Sequence, residues 1–186
     1  AIGLANRHRK QVGLLFLDLD YFKHINDSLG HAIGDQLLQS VSDRLAACIR
    51  ATDTVCRQGG DEFVILLAEL EQPQDAAHVA ETLLATFAAP HQIGGHELHV
   101  TLSIGISIYP DDGVSVDAIM RNADTAMFHA KASGRNKYQF FKADMNIRAV
   151  RRLAVEINLR RALKQSEFLL HYQPKIDLAS GAMVGA

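Results

Sequence analysis

The sequence has no basic excess. Its 186 residues carry 19 Lys and Arg against 21 Asp and Glu, a formal net charge of −2. The sequence-independent phosphate affinity that marks most nucleic-acid binders is therefore missing, no nucleic-acid partner is expected, and any phosphate chemistry must be local. Cysteine is scarce. Cys48 and Cys56 are the only two, lack a CxxC spacing, and are expected to sit reduced in or near the core without chemistry of their own. Long apolar runs are also missing: the longest, 12–17 and 63–68, fall far short of the roughly 20 residues that span a bilayer. No signal peptide opens the chain, so the piece is expected to be cytoplasmic and without membrane contact, which leaves open a membrane anchor in a longer parent.

The length suits one domain with a sizeable core and something extra. Residues 1–10 read as the tail of a helix that lacks a start, as if the chain were cut there. The run 12–17 is continuous and apolar, the pattern of a strand buried on both faces, and it ends at Asp18-Leu19-Asp20 where the sequence turns helical. Helices are expected at 21–29 and 34–49, the second with Leu37, Leu38, Val41, Leu45 and Ile49 on one face. Residues 55–58 and 63–67 form a predicted hairpin around Gly59-Gly60, with Asp61 and Glu62 at its tip. A helix at 73–88 leads to a second predicted hairpin, 91–93 with 97–109, and then a helix at 115–132 stops at Gly134 before a strand at 138–141. This order implies an α+β fold, a mixed or antiparallel sheet flanked by helices, and not a doubly wound nucleotide fold.

A boundary is expected near 143, giving a domain at 1–143, a linking helix at 144–165 with Val150, Leu153 and Ile157 on one side, and the start of another domain at 166–186, where 168–172 opens a strand.

The chemistry lies in the acids. Asp18 and Asp20 stand at a strand end, Asp61 and Glu62 at a hairpin tip; if the strands at 12–17 and 63–67 pair, Asp18 and Asp61 converge. Oxygen ligands without His or Cys favour Mg²⁺ or Mn²⁺, which bind few carboxylates and complete their shell with water and phosphate. Gly59 and Gly60 let a triphosphate approach the backbone, the amides of 21–23 open a helix beside Asp18, and Lys131 and Arg135 add cations across a helix end. Either acidic cluster alone is ordinary turn material. Both together point to a metal-dependent nucleotide site, without fixing base or product. His96-Glu97-Leu98-His99 lacks the HExxH spacing and falls in a hairpin, so no metal is assigned to it.

Three separated motifs occur in order: Asp18-Leu19-Asp20-Tyr21-Phe22-Lys23-His24-Ile25-Asn26-Asp27, then Arg57-Gln58-Gly59-Gly60-Asp61-Glu62-Phe63, then Ala130-Lys131-Ala132-Ser133-Gly134-Arg135-Asn136. Together they resemble the GGDEF family of diguanylate cyclases over residues 1–143. The resemblance implies the ferredoxin-like palm of nucleotidyl cyclases and the condensation of two GTP into cyclic di-GMP and two pyrophosphates. It further implies two Mg²⁺ or Mn²⁺ ions per site on Asp18, the Leu19 carbonyl, Asp61 and Glu62, the last also a candidate base. Asn26 and Asp35 would read guanine, while Phe22, Lys23, Lys131 and Arg135 would surround the triphosphate. Arg50 and Asp53 match the RxxD site at which the family binds its product as feedback inhibitor, with Glu81 and Thr82 where a second basic contact is often found. Each such domain binds one GTP, so catalysis implies a homodimer. The family's opening Leu-Thr-Gly-Leu-x-Asn-Arg segment is missing here. Residues 167–186 resemble the start of an EAL phosphodiesterase domain, so the parent resembles a GGDEF–EAL tandem. Two other readings remain: a non-catalytic GTP-binding module regulating the adjoining EAL domain, and a scaffold, against which Asn26 and Asp35 argue.

Overall fold

The computed structural model describes residues 1–185, apart from the side chains of Asn6, 147–154 and Glu156. The chain falls into two compact units, Ala1–Ile147 and Arg148–Ala186.

The first unit runs α1 (Ile2–His8), β1 (Gln11–Leu19), α2 (Phe22–Leu29), α3 (His31–Ala47), β2 (Thr54–Gly59), β3 (Glu62–Leu70), α4 (Pro73–Phe87), β4 (His91–Ile93), β5 (His96–Leu98), β6 (Leu102–Tyr109), α5 (Val116–Ala132), β7 (Lys137–Phe140) and the opening of α6 (Ala143–Lys164). Five strands make one sheet in the order β2-β3-β1-β6-β7. All neighbours are antiparallel except β6 and β7. It is the mixed, helix-flanked α+β palm that the sequence predicts.

The alternation within β1 explains its unbroken apolar run. Leu15, Leu17 and Leu19 join one core with Leu37, Leu38, Val41 and Leu45 of α3 and Ala80, Leu83 and Phe87 of α4. Val12, Leu14 and Phe16 join the other, with Ala5 of α1 and Ile119, Ala123 and Met127 of α5. A central strand covered on both faces has no polar side to show. Gly105 of β6 lets α5 come close: a Cβ there would lie 2.0 Å from the Ala123 carbonyl oxygen. The helix that carries Lys131 is thereby seated on β6 and against β1, the strand that carries Asp18.

Three expectations for the first unit need correction. The predicted strand 97–109 is two strands in different sheets, β5 pairing with β4 and β6 with β1. The chain leaves the small hairpin at the exposed His96, Glu97 and His99 and enters the main sheet only where every residue from Leu102 to Tyr109 is buried. Cys56 is exposed, because β2 is the sheet's edge and its residues lie mostly in solvent; only Cys48 packs against the core. Helix α3 begins at His31 and not near 34, so Gly34 lies inside it.

In the second unit α6 continues to Lys164, and β8 (Lys175–Ile176) pairs with β9 (Met183–Gly185). The strand expected at 168–172 does not form. Phe168, Leu169, Leu170 and Tyr172 are exposed, and a strand without a neighbour has no ladder of hydrogen bonds. Val150 and Leu153 lie outside the described side chains, and Ile157 is exposed. No helix among the described residues is long and apolar enough to cross a membrane.

Candidate active site

Strand pairing brings the acids together. In the antiparallel register of β1 and β3, Asp18 stands opposite Glu62, and residues directly opposite share a face of the sheet. The Leu19 N–H donates to the Asp61 carbonyl at 3.2 Å, which ties the hairpin turn to the end of β1. The turn depends on Gly60, whose φ of +55° suits glycine. Among the described residues, and apart from the chain neighbours, no atom lies within 4 Å of a Cβ built on Gly59 or Gly60, so the backbone there is open. Arg57 Nε donates to the Gly60 carbonyl at 3.0 Å and holds the turn from its other side.

Asp18 is buried, 4% exposed. Burial pushes its carboxyl up to about 6, the Lys131 ammonium opposes that shift, and the charge of Asp61 adds to it. Lys131 Nζ, from the last turn of α5, lies 2.5 Å from Asp18 Oδ2.

Asp20 is occupied otherwise. Its carboxylate accepts from Thr101 Oγ1 at 2.6 Å, Ser103 Oγ at 2.7 Å and the Asn136 N–H at 3.2 Å. Arg135 Nε stands 3.8 Å away, with its guanidinium 4.7 Å from the centre of the exposed Tyr21 ring. Asp20 therefore fastens the start of α2, β6 and the segment after α5 to one another, and its oxygens have little left to offer a ligand.

Helix α2 leads from the acids to a second feature. The Asn26 Oδ1 is buried and has no hydrogen-bond partner among the described residues. It packs against Gly34, where a Cβ would stand 1.9 Å from it, so Asn26 can hold this place only because residue 34 has no side chain. Asp35 follows, exposed just past the first turn of α3. Lys23 is exposed at the start of α2, but the Phe22 ring is buried in the core, so Phe22 can offer a phosphate only its backbone N–H.

Arg50 and Asp53 lie apart from this site, in the turn after α3. Asp53 Oδ2 accepts from the Arg50 N–H and Oδ1 from the Ala68 N–H, both at 3.1 Å, and Arg50 is exposed. Glu81 accepts from Tyr138 Oη at 3.1 Å. His99 Nε2 stands 3.3 Å from Glu97 Oε1 in the small hairpin.

The family model "Diguanylate cyclase, GGDEF domain" matches residues 1–137. This chain belongs to the GGDEF family. Over its full length it is 47% identical to the bifunctional diguanylate cyclase/cyclic di-GMP phosphodiesterase MucR of Pseudomonas aeruginosa, of which it spans 27%. The cyclic di-GMP phosphodiesterase NbdA of the same organism is 44% identical over 92% of the chain, which covers 22% of NbdA. Among solved structures, the GGDEF domain of TpbB from Pseudomonas aeruginosa aligns with a TM-score of 0.75 at 39% identity, covering 76% of this chain and 88% of that one. The GGDEF domain here thus shares its fold with that structure, and its relatives include proteins named for synthesis of cyclic di-GMP, for its hydrolysis or for both.

Several residues of the site were not singled out by sequence reasoning. Gly34 becomes a signal only once α3 is seen to begin at His31, since a glycine inside a helix is tolerated poorly without a packing reason. Thr101 and Ser103 had none, because their roles arise only where β6 passes β1. Arg57 stood within the motif, but its bond to Gly60 is a property of the folded turn.

Proposed function

We propose that the GGDEF domain of this chain binds GTP with Mg²⁺ or Mn²⁺ and, paired face to face with a second copy, condenses two GTP into cyclic di-GMP. The observation that carries the proposal is the placement of the buried Asp18 opposite Glu62, next to the Asp61 turn. Among the described residues no group of three or more His, Cys, Asp or Glu converges tightly enough to hold a metal unaided. One or two carboxylates that leave the remaining positions to water and phosphate are the donor set a hard divalent cation accepts, and two acids as close as Asp18 and Asp61 are favoured by added positive charge. Asp18, the Leu19 carbonyl, Asp61 and Glu62 would hold two such ions, which when bound supply charge at the reacting phosphate and lower the pKa of the attacking hydroxyl.

The other steps belong to the chain's own groups. The Asn26 amide would donate to the guanine edge and the Asp35 carboxylate accept from it, with Asn26 seated against Gly34. The N–H groups opening α2, with Lys23, Lys131 and Arg135, take the triphosphate charge, and the open backbone at Gly59 and Gly60 admits it. The 3′-hydroxyl oxygen of one GTP then forms a bond to the α-phosphorus of the other, the bond from that phosphorus to the β-phosphate bridging oxygen breaks, and pyrophosphate leaves. Glu62 takes the hydroxyl proton. The same transfer in the opposite direction closes the ring and releases the second pyrophosphate. Arg50 and Asp53 would bind the product and restrain further synthesis. Dependence on GTP agrees with a cytoplasmic domain, and the second unit would continue into an EAL domain.

The name of NbdA favours a second reading, in which the domain binds GTP unchanged and regulates an adjoining phosphodiesterase. Calorimetry with GTP and with ATP tests the part common to both. GTP should bind at least about tenfold more tightly than ATP, and Asn26→Leu should remove that preference, since a buried polar partner left unpaired is rejected strongly. Equal affinity for the two nucleotides overturns both readings.

A further inference from the structure

The Asp18 carboxylate is claimed twice. It ends β1 in a buried position, where an unpaired charge is unfavourable, and the charge paired with it is the ammonium of Lys131 at 2.5 Å. The contact is built into the fold. Gly105 seats α5 on the sheet, and side chains on a helix lean toward its N-terminus, so a lysine in the last turn of α5 reaches back over the end of β1. Arg135, the other cation nearby, is engaged with Asp20 and Tyr21. A divalent ion on Asp18 would therefore meet a positive charge already seated on one oxygen of its ligand, and like charges a few ångströms apart in a partly buried site repel strongly.

We infer that Lys131 is a resident counter-ion of Asp18 that competes with the divalent cation for this carboxylate, and that metal entry frees its ammonium for the outer phosphates of the nucleotide. Lys131 is in this sense a positioning residue with two seats, one on Asp18 and one on substrate, and metal without nucleotide binds weakly. The inference rests on the reading of Asp18 as a metal ligand.

The test is titration of the full chain with Mn²⁺ alone, near pH 8 and at fixed ionic strength, following the signal of free Mn²⁺ by electron paramagnetic resonance. Lys131→Gln should bind Mn²⁺ roughly tenfold more tightly than wild type, in the range usual for coupled sites. Lys131→Arg, which keeps the charge, should stay within about threefold of wild type on the same scale. Asp18→Asn should abolish the gain when combined with Lys131→Gln. A merely structural lysine would give the opposite sign, since loosening the site weakens binding. Should Lys131→Gln fail to fold, Lys131→Met gives the same readout. If Lys131→Gln binds Mn²⁺ no more tightly than wild type while Asp18→Asn still abolishes binding, the competition is refuted and the metal site stands. If Asp18→Asn binds as well as wild type, or no variant binds at all, the metal-ligand reading fails and takes the inference with it.

Discussion

The Asp20 carboxylate accepts a 2.7 Å hydrogen bond from Ser103 Oγ, which fixes the end of β1 to β6 in the middle of the sheet. With Thr101 and the Asn136 N–H as further donors, Asp20 is a fastening point and not a metal ligand. Asp20→Ala leaves the buried Ser103 hydroxyl and the half-buried Thr101 hydroxyl without their acceptor and should destabilise the first unit by about 2–3 kcal/mol, seen as a lower denaturation midpoint. Mn²⁺ affinity should fall far less than in Asp18→Asn. Equal losses of Mn²⁺ affinity would show that Asp20 is a ligand after all.

Gly34→Ala separates binding from stability. Its Cβ meets the side-chain oxygen of Asn26, which can swing aside, and alanine is favoured over glycine in a helix by about 1 kcal/mol. Stability should hold or rise slightly while GTP affinity drops, by more than about tenfold if the displaced Asn26 is the residue that reads the base. Unchanged GTP affinity would place the base elsewhere.

Gly105→Ala should behave in the opposite way. The new Cβ would stand 2.0 Å from the Ala123 oxygen and 2.2 Å from the Met127 nitrogen, both backbone atoms that cannot step aside without moving α5. A loss of about 3 kcal/mol is expected from such overpacking, measured by chemical denaturation. A neutral result would show that α5 is free to shift on β6.

How much of this was legible in advance follows from where the information sits. The alternation that buries β1 on both sides and the glycine turn before Asp61 are local patterns, so strands, turn and acid pairing could be read directly. The split between β5 and β6 could not, because a run of apolar residues does not say which sheet each part joins. The fate of Asp20 was hidden for the same reason: its donors come from positions 101, 103 and 136. Lys131 was legible as a cation, but its contact with Asp18 depends on the approach allowed by Gly105.

His91 gives a pH dependence of known sign. Its imidazole is buried, with Nδ1 2.8 Å from Ser40 Oγ and Nε2 without a partner among the described residues. Burial, with the nearby Arg44 guanidinium adding to it, lowers its pKa from 6.5 to about 4. A base held neutral in this way contributes stability that is present above pH 6.5 and lost as pH falls toward 4. Asp18, raised to about 6, works in the other direction: its contribution is present below its ordinary value of 3.8 and lost as pH rises through 6. The two offset each other in a simple scan. The difference in stability between wild type and His91→Gln isolates the histidine, and should shrink by about 2–3 kcal/mol between pH 7 and pH 4. A difference independent of pH would mean that His91 is not held neutral.

The central claim is that the carboxylates at the ends of β1 and β3 catalyse nucleotidyl transfer from GTP. The direct measurement is chromatography of nucleotides, with assay of pyrophosphate, after the protein is incubated with GTP and Mg²⁺ or Mn²⁺ beside an Asp61→Ala control. The account predicts pyrophosphate, together with cyclic di-GMP or the linear dinucleotide into which a phosphodiesterase would open it, only when Asp61 is intact. GTP that binds yet remains unchanged would contradict it and leave the regulatory reading in its place.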